Sequence, residues 1–172
     1  FSLSEDKETQ QAKIAGEDIK LSHVLFKPNV LVSTHILRTY EQGSVLKNLL
    51  GIIPDRKKVR FHKKLGTALM DAYEAIGGID LAVLDGTHAA LGVGLEAKRV
   101  PAKILAVGRD AVAVEVIGAT IMGLKPEKVP VVREAMNRGI GESNIDKIEI
   151  AGLSLANLEE KFRPLIAQNK ED

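Results

Sequence analysis

The sequence predicts an α/β fold, a three-layer domain with a mostly parallel sheet and helices on both faces. Short apolar runs alternate with segments of helical period, as they do in βαβ units. The clearest example is the stretch from Lys103 to Gly123, which combines an apolar strand, a polar turn and an apolar helix. Two earlier apolar runs, residues 30–32 and 79–84, also end abruptly in polar clusters. These three strand ends predict a crevice at one edge of one sheet.

The composition narrows the class of protein. The 172 residues suffice for one domain with a sizeable core, and an aromatic share of only 3% means that this core is aliphatic. The net charge of +1 gives no reason to expect nucleic acid as a partner. The chain has no cysteine, and no apolar run approaches the roughly 20 residues of a membrane helix. We therefore expect a cytoplasmic protein that holds no iron–sulfur cluster and does not enter a membrane.

The N-terminal region predicts little regular structure before the first buried strand. Residues 1–13 are polar and without an apolar period, so they predict a loose arm. A single α/β domain is expected over residues 14–167, followed by a frayed tail at residues 168–172. The segment from Ile14 to Leu21 is a candidate edge strand. Val30 to Thr34 is apolar and β-branched, which indicates a buried strand.

Two helices are predicted between this strand and the next. Ser44 is a candidate N-cap for a short helix that ends at Gly51. Residues 61–76 predict an amphipathic helix, stopped by Gly77-Gly78. Its apolar positions follow helical spacing: Leu65, Leu69, Ala72, Tyr73 and Ile76. The strand over residues 79–84 then completes the second half of a parallel βαβ unit.

The next segment predicts a long loop, a strand and a buried helix. Residues 86–101 contain several glycines and predict a loop longer than usual for this kind of connection. A strand follows over residues 103–107. Asp110 supplies an N-cap and Gly123 an end for a helix that is apolar on all sides and therefore buried.

The C-terminal region predicts two helices and one more strand. Pro130 suits the first turn of a helix that ends at Arg138-Gly139. Ser143 and Asp146 resemble a capping box on a helical turn. Residues 147–150 alternate polar and apolar side chains, which predicts an edge strand. A last helix is expected to stop before Pro164.

Several blocks of the chain occur in a characteristic order: Leu31–Thr39, Leu46–Pro54, His62, Leu84–Gly86, Gly108–Val114, Met122–Leu124 and Arg138–Gly141. Together, over residues 30–152, they resemble the C-terminal portion of domain-of-unknown-function family 362, whose members are associated with iron–sulfur proteins. The resemblance implies an α/β fold and an association with redox metabolism through a redox protein partner. It implies no particular reaction.

The chain departs from the family pattern at three places. Arg38-Thr39-Tyr40 stands where Lys-Thr-His is usual. Residues 91–95, which include Gly92-Val93-Gly94, replace a Gly-Asn-Gly-Pro loop, and Glu115 replaces an aspartate. If the usual residues are catalytic in relatives, these changes alter or remove that activity.

The candidate site residues are those at or near the predicted strand ends. Candidates for catalysis are His35, Lys47, Asp85 and Glu115. Candidates for ligand binding are Lys47, Asn48, Asp85, Gly86, His88, Arg109 and Asp110. Several have simpler interpretations: Asp110 as a helix cap, Asp85-Gly86 as a turn, and Glu115 as a paired structural charge rather than a base with a raised pKa.

Three hypotheses about function remain open. The first is a pocket for an unknown small ligand or substrate at the carboxyl ends of the strands, linked to redox chemistry through a partner. The second is a non-catalytic interaction module that keeps the fold without the site. The third is a divalent-metal hydrolase that uses His35, Asp85 and His88. The first hypothesis places Lys47, Asp85 and Arg109 in one crevice. No ligand spacing along the chain supports the metal site that the third hypothesis requires.

Overall fold

The computed structural model describes residues 3–27, 30–39, 41–54, 57–92 and 96–168, and these form a mixed α/β fold with two sheets and four helices. The strands are β1 (Thr9–Ile14), β2 (Glu17–Ser22), β3 (Val32–Arg38), β4 (Leu81–Leu91) and β5 (Lys98–Gly108). The helices are α1 (Leu65–Ala75), α2 (Ala111–Ile121), α3 (Pro130–Arg138) and α4 (Leu155–Gln168). Within the described residues, no helix has the length and apolar character needed to cross a membrane.

Strands β1 and β2 form an antiparallel hairpin around a two-residue turn. Ile14 pairs with Glu17, and the turn residues Ala15 and Gly16 both have positive φ angles, 52° and 89°. This is the mirror-image turn whose twist matches that of the strands it joins. The Ala15 N–H donates to Asp71 Oδ2 of α1 at 2.7 Å, which fastens the hairpin to the helix. Residues 9–13, predicted to be part of a loose arm, are therefore strand.

Removal of residues 1–13 is expected to lower the free energy of unfolding by about 2 kcal/mol or more. The deletion takes away the strand that covers the buried Ile19 and Leu21 of β2, and exposing such side chains costs about 1.5–3 kcal/mol each when complete. Urea unfolding of the shortened chain measures the loss. Removal of residues 169–172 is the control. Equal midpoints for the two deletions would contradict the role of β1.

The second sheet has the order β3-β4-β5 and is mixed. β3 and β4 are parallel, with Val32 beside Leu81, whereas β4 and β5 are antiparallel, with Ala82 beside Gly108. The prediction of a mostly parallel sheet is therefore wrong. The parallel β3–β4 pair, connected through α1, agrees with the predicted βαβ unit.

The error comes from the segment predicted to be a long loop. Residues 86–91 instead belong to β4 and residues 98–101 to β5, and the two strands pair antiparallel. Residues 93–95 of the predicted loop lie outside the described residues. The ladder is interrupted between Gly86 and His88, and Lys103 opposite has a φ angle of 54°. This is a β-bulge, in which an extra residue in one strand leaves the pairing on both sides intact.

Helix α2 covers one face of this sheet, here called the inner face. A Cβ atom on Gly118 would lie 2.5 Å from Leu84 Cδ2, so the glycine lets the helix approach β4 closely. Asp110 accepts hydrogen bonds from the N–H groups of Val112 and Ala113, and Gly123 has a φ angle of 70°. The cap, the end and the burial predicted for this helix are confirmed.

The opposite face of the sheet, here called the outer face, is open. Its apolar side chains include Val32 and Ile36 of β3 and Leu105 and Val107 of β5, all of which are exposed. Among the described residues no helix covers them, so the predicted helices on both faces are not found. The predicted burial of the first strand is correspondingly wrong for its outward side chains.

Helices α1, α3 and α4 match their predicted positions with shifted ends. A 3₁₀ helix over Lys58–Lys64 precedes α1, so the α-helix begins at Leu65 instead of residue 61. α3 begins at Pro130 and ends at Gly139, whose φ angle is 66°, as predicted. α4 continues through Pro164 to residue 168, because the buried Phe162 anchors the helix beside the proline.

Three local predictions are wrong. Ser44 does not cap a helix, and the following segment is a 3₁₀ turn over Lys47–Gly51. Asn144, rather than Ser143, caps the short helix Ile145–Lys147. Residues 148–150 have no regular secondary structure and join no sheet among the described strands.

Candidate functional site

Glu115 is buried on α2, with only 2% of its surface exposed. Its Oε1 accepts hydrogen bonds from the Ser44 N–H at 2.7 Å and the Ser44 Oγ–H at 2.6 Å, and its Oε2 accepts one from the Leu46 N–H at 2.9 Å. Burial raises the pKa of the carboxyl and outweighs these hydrogen bonds, which lower it. The adjoining cavity holds about 10 Å³, roughly the space of one water. Glu115 thus joins α2 to the segment after β3, and the cavity beside it has no space for a substrate.

Asn48 connects the 3₁₀ turn to β3. Its Nδ2 donates to Ser33 Oγ at 3.0 Å and to the Thr34 carbonyl at 2.7 Å, and Ser33 Oγ donates to the Val45 carbonyl at 2.7 Å. These bonds hold the turn against the edge of β3. The Asn48 side chain, predicted to bind a ligand, therefore makes structural hydrogen bonds instead. Lys47 is its neighbour on the same turn.

His35 lies on β3 in a cationic environment. Its Nδ1 is 2.8 Å from the Ile36 carbonyl oxygen, which can only accept, so Nδ1 carries the proton. Burial lowers the pKa of the imidazole, and the charges of Arg38 and Lys47 lower it further. Both effects favour the neutral form of the ring.

Asp85 and His88 lie inside β4 and not at its end. Asp85 Oδ1 accepts the Thr87 N–H at 2.8 Å, and hydrogen bonds from Thr87 together with the charge of His88 lower the pKa of the carboxyl. A Cβ atom on Gly86 would lie 2.5 Å from Ile104 Cγ1, so the glycine permits close pairing with β5. Asp85 and Gly86 therefore shape the bulge in the strand.

Arg109 and Asp110 lie between β5 and α2. Asp110 Oδ1 caps the helix, and its Oδ2 accepts the Glu142 N–H at 2.7 Å. The simpler interpretation of Asp110 as a helix cap is thereby confirmed. Arg109 is exposed and has no ion-pair partner within the described residues.

A groove of about 720 Å³ runs along β5 beside these two residues. Residues 103–110 form one side and residues 147–153 the other. Its base is apolar and comes from α2 and α4: Ala113, Val114, Ile117 and Leu158. The volume falls in the range of about 300–1,000 Å³ that is typical of ligand-binding sites.

The family-model comparison bears on the N-terminal two thirds of the chain. The model of DUF362, a domain of unknown function, matches residues 3–120, which is more than half of the chain. The chain belongs to the DUF362 family. The match begins well before residue 30, where the resemblance was first evident, and stops before the blocks Met122–Leu124 and Arg138–Gly141. No curated protein and no solved structure matches the sequence.

This DUF362 chain does not bring Lys47, Asp85 and Arg109 into one crevice. β5 runs antiparallel to β4, so Arg109 follows the residue that pairs with Ala82, near the beginning of β4. Asp85 pairs with Leu105, four residues before Arg109, and neither Lys47 nor Asp85 lines the groove. The single crevice predicted at the strand ends is therefore wrong.

The pleat of the sheet also separates His35 from Asp85. His35 pairs with Leu84, and side chains of paired residues point to the same face. Asp85 is the next residue and points to the opposite face. Among the described residues no three His, Asp or Glu side chains are grouped so as to hold a metal. The ligands required by the hydrolase hypothesis are therefore not assembled.

The second wall of the groove was missed in the sequence, although a signal for it was present. Residues 147–150 alternate as a strand does, and this pattern predicts an edge strand. They lie instead across the groove from β5, with Glu142 and Lys147 among the polar residues that line it.

Proposed function

We propose that this DUF362 chain is a protein-interaction domain that binds an extended, acidic segment of a partner along the free edge of β5. The observation that carries the proposal is the groove of about 720 Å³ beside that edge. The proposal develops the interaction-module hypothesis. The redox link implied by the family resemblance then belongs to the partner.

The backbone of β5 supports strand addition. β4 pairs with one edge of β5, and no other described strand pairs with the second edge. No backbone hydrogen bond joins residues 103–109 to residues 147–153, both of which are described. An incoming strand thus finds a row of N–H and C=O groups on one side of the groove, which is how edge strands bind extended peptides.

The charges on β5 itself favour an acidic partner, whereas Asp110, Glu142 and Glu149, which also line the groove, come from outside this strand. β5 carries Lys98, Arg99 and Lys103, Arg109 follows directly, and the segment contains no acidic residue. A second copy of β5 at this edge would oppose like charges, which is unfavourable between adjacent strands. A partner strand that alternates valine and glutamate presents apolar side chains to the base of the groove and carboxylates to the basic residues of β5. Small ligands are less well suited, because both Asp110 oxygens are already hydrogen-bonded.

The test uses a synthetic peptide with the sequence Val-Glu-Val-Glu-Val, blocked at both ends. Calorimetric titration is expected to show binding at least about tenfold tighter than that of the matching Val-Lys-Val-Lys-Val peptide. The alternate nitrogens of the peptide form two sets, and only one set faces β5. N-methylation of that set is expected to abolish binding, because it removes the N–H groups that donate to β5. NMR should show slower amide exchange confined to residues 103–109.

Charge reversal within the groove provides the matched protein variants. The double variant Lys103→Glu, Lys147→Glu is expected to lower the affinity for the acidic peptide at least about tenfold. The control is Lys161→Glu with Arg163→Glu, on the exposed side of α4, which should leave that affinity unchanged. The proposal is wrong if the acidic peptide does not bind, or if N-methylation or the groove variants leave its affinity unchanged.

A further inference from the structure

A basic patch surrounds the 3₁₀ helix that precedes α1. Its members are the cations of residues 57–64: Lys57, Lys58, Arg60, Lys63 and Lys64. All of them are exposed except Lys58, which is half-buried. No acidic residue occurs between residues 57 and 70. The patch therefore concentrates positive charge in a chain whose net charge is only +1.

The helix arranges these cations in a row with an apolar side chain beside it. In a 3₁₀ helix, side chains three positions apart lie above one another, about 6 Å apart along the axis. Lys57, Arg60 and Lys63 therefore share one row, and the Arg60 N–H donates to the Lys57 carbonyl oxygen at 3.4 Å across the first turn. Val59 belongs to the adjacent row and is 74% exposed. The surface thus combines a row of charges with one protruding apolar side chain.

Contacts on the protein side hold this helix in place. Phe61 is buried, and the Arg60 guanidinium lies 4.4 Å from the centroid of its ring. Arg60 Nε donates to Glu17 Oε2 at 2.8 Å, and Lys58 Nζ donates to the Gly51 carbonyl oxygen at 3.4 Å. Glu17 offsets one of the five cations, which leaves a charge of +4 on the patch.

The positions of Lys63 and Lys64 are unfavourable for the stability of α1. Lys64 is the N-cap residue, its side chain makes no capping hydrogen bond, and the first turn of the helix contains no acidic residue. Cations near the N-terminus of a helix oppose its dipole. Neither lysine forms an ion pair within the described part of the chain. Sequences break local rules of this kind mainly at functional sites, and a bound anion would relieve the repulsion.

The form of the patch indicates which polyanion it suits. Proteins that bind single-stranded nucleic acid stack the bases on exposed aromatic rings, and the one Phe, Tyr or Trp of this segment, Phe61, is buried. Duplex DNA is read by an α-helix or a pair of strands in the major groove, whereas this element is a 3₁₀ helix of seven residues. Clusters of about four to eight Lys or Arg residues are typical of proteins that bind anionic lipids. An apolar side chain among such cations fits the headgroup layer of a membrane.

We propose that the basic patch binds the anionic phospholipids of a membrane surface. The lysine and arginine side chains lie against the lipid phosphates, and Val59 enters the headgroup layer without crossing the membrane. No residue of the patch lines the groove beside β5, so lipid binding does not depend on the proposed peptide binding. The Lys103→Glu, Lys147→Glu variant is accordingly expected to bind vesicles as the wild-type chain does.

Co-sedimentation with vesicles measures the binding. Vesicles of phosphatidylcholine with about 30% phosphatidylserine are expected to bind the full chain, and vesicles of phosphatidylcholine alone are not. Lys63→Glu with Lys64→Glu is expected to lower the affinity at least about twentyfold, because each cation near an anionic surface strengthens binding about fivefold. Lys161→Glu with Arg163→Glu makes the same change of net charge outside the patch. It should keep the affinity within about threefold, because distant charges are screened by salt.

The stability of the charge-reversed chain excludes unfolding as the cause of a lower affinity. Acidic residues near the N-terminus of α1 are favourable for its dipole. The Lys63→Glu, Lys64→Glu variant should therefore unfold at the same urea concentration as the wild-type chain or at a higher one.

A tryptophan at position 59 tests the apolar contact. The chain has no tryptophan, so Val59→Trp carries a single indole fluorophore. Its emission is expected to shift to shorter wavelength with phosphatidylserine vesicles. Vesicles of phosphatidylcholine alone, or a DNA duplex at equal phosphate concentration, should leave the emission unchanged.

Three results would overturn the proposal. One is vesicle binding that the charge reversal at Lys63 and Lys64 does not weaken, and another is an emission from Val59→Trp that anionic vesicles do not shift. The third is tighter binding to the DNA duplex than to vesicles at equal phosphate concentration, which would assign the patch to nucleic acid.

Discussion

Replacement of Glu115 by alanine is expected to lower the free energy of unfolding by about 2–4 kcal/mol. The carboxylate accepts three hydrogen bonds from Ser44 and Leu46, and its removal leaves their buried N–H groups without an acceptor. Each such group costs about 1–3 kcal/mol when buried and unpaired, although a water entering the space offsets part of this. Urea unfolding measures the change, and Glu159→Ala on the exposed part of α4 is the control. A loss below about 1 kcal/mol would contradict the anchoring role.

The same residue predicts a pH dependence with a definite sign. Burial raises the pKa of Glu115 above its ordinary value of 4.5, so folding takes up a proton between the unfolded-state and folded-state pKa values. The contribution to stability is greatest below the unfolded-state pKa and is lost as the pH rises through the folded-state pKa. Relative to Glu115→Gln, which does not titrate, the wild-type chain is expected to lose at most about 1.4 kcal/mol per pH unit in that window. Parallel pH profiles for the two proteins would refute this.

Gly66→Ala is expected to lower the free energy of unfolding by about 2 kcal/mol or more. Gly66 lies in α1 where α3 begins, and an added Cβ atom would overlap the Pro130 carbonyl oxygen and lie 2.9 Å from its carbon. The obstacle is backbone, so the two helices must separate, and overpacking of this kind costs about 1–3 kcal/mol or more. This exceeds the gain of about 1 kcal/mol in helix propensity.

Gly51→Ala is the matched control for this substitution. No atom lies within 4 Å of the position of its Cβ, and its φ angle is not positive. The change should therefore stay within about 0.5 kcal/mol. Chemical denaturation of both variants gives the comparison. If Gly66→Ala is as stable as Gly51→Ala, helices α1 and α3 are not in the close contact described here.

The helices were the most predictable part of this fold. Asp110 and Gly123 delimit α2, Pro130 and Gly139 delimit α3, and Gly77 stops α1. Each signal acts through hydrogen bonds or dihedral angles within a few residues, so the sequence contains it in full. α4 is the exception, because the packing of Phe162 carries the helix through a proline.

The strands were found, but their extent and direction were not. Glycines at positions 86 and 92 suggested a loop, whereas residues 81–91 and 98–108 form two strands that pair antiparallel. A glycine inside a strand and a glycine in a loop look alike locally. The pairing partner distinguishes them, and for Gly86 that partner is Ile104, 18 residues further along the chain.

The candidate site was predictable only in part. Arg109 and Asp110 do border the groove, but Asp110 serves as a cap and the opposite wall comes from residues 147–153. Ser44 looked like a cap because its neighbours favour a helix. Its hydroxyl instead donates to a carboxylate 71 residues further along, which no local pattern indicates.

The sequence by itself determined the family, the α/β class, the helix ends and the aliphatic core, because composition and short-range geometry suffice for these. Only the tertiary structure decided which strand edge is free, which sheet face is uncovered and which charges share a surface. Those properties depend on strand direction. A single reversal between β4 and β5 moves Arg109 from the predicted crevice to the far end of the sheet, since antiparallel neighbours end at opposite edges.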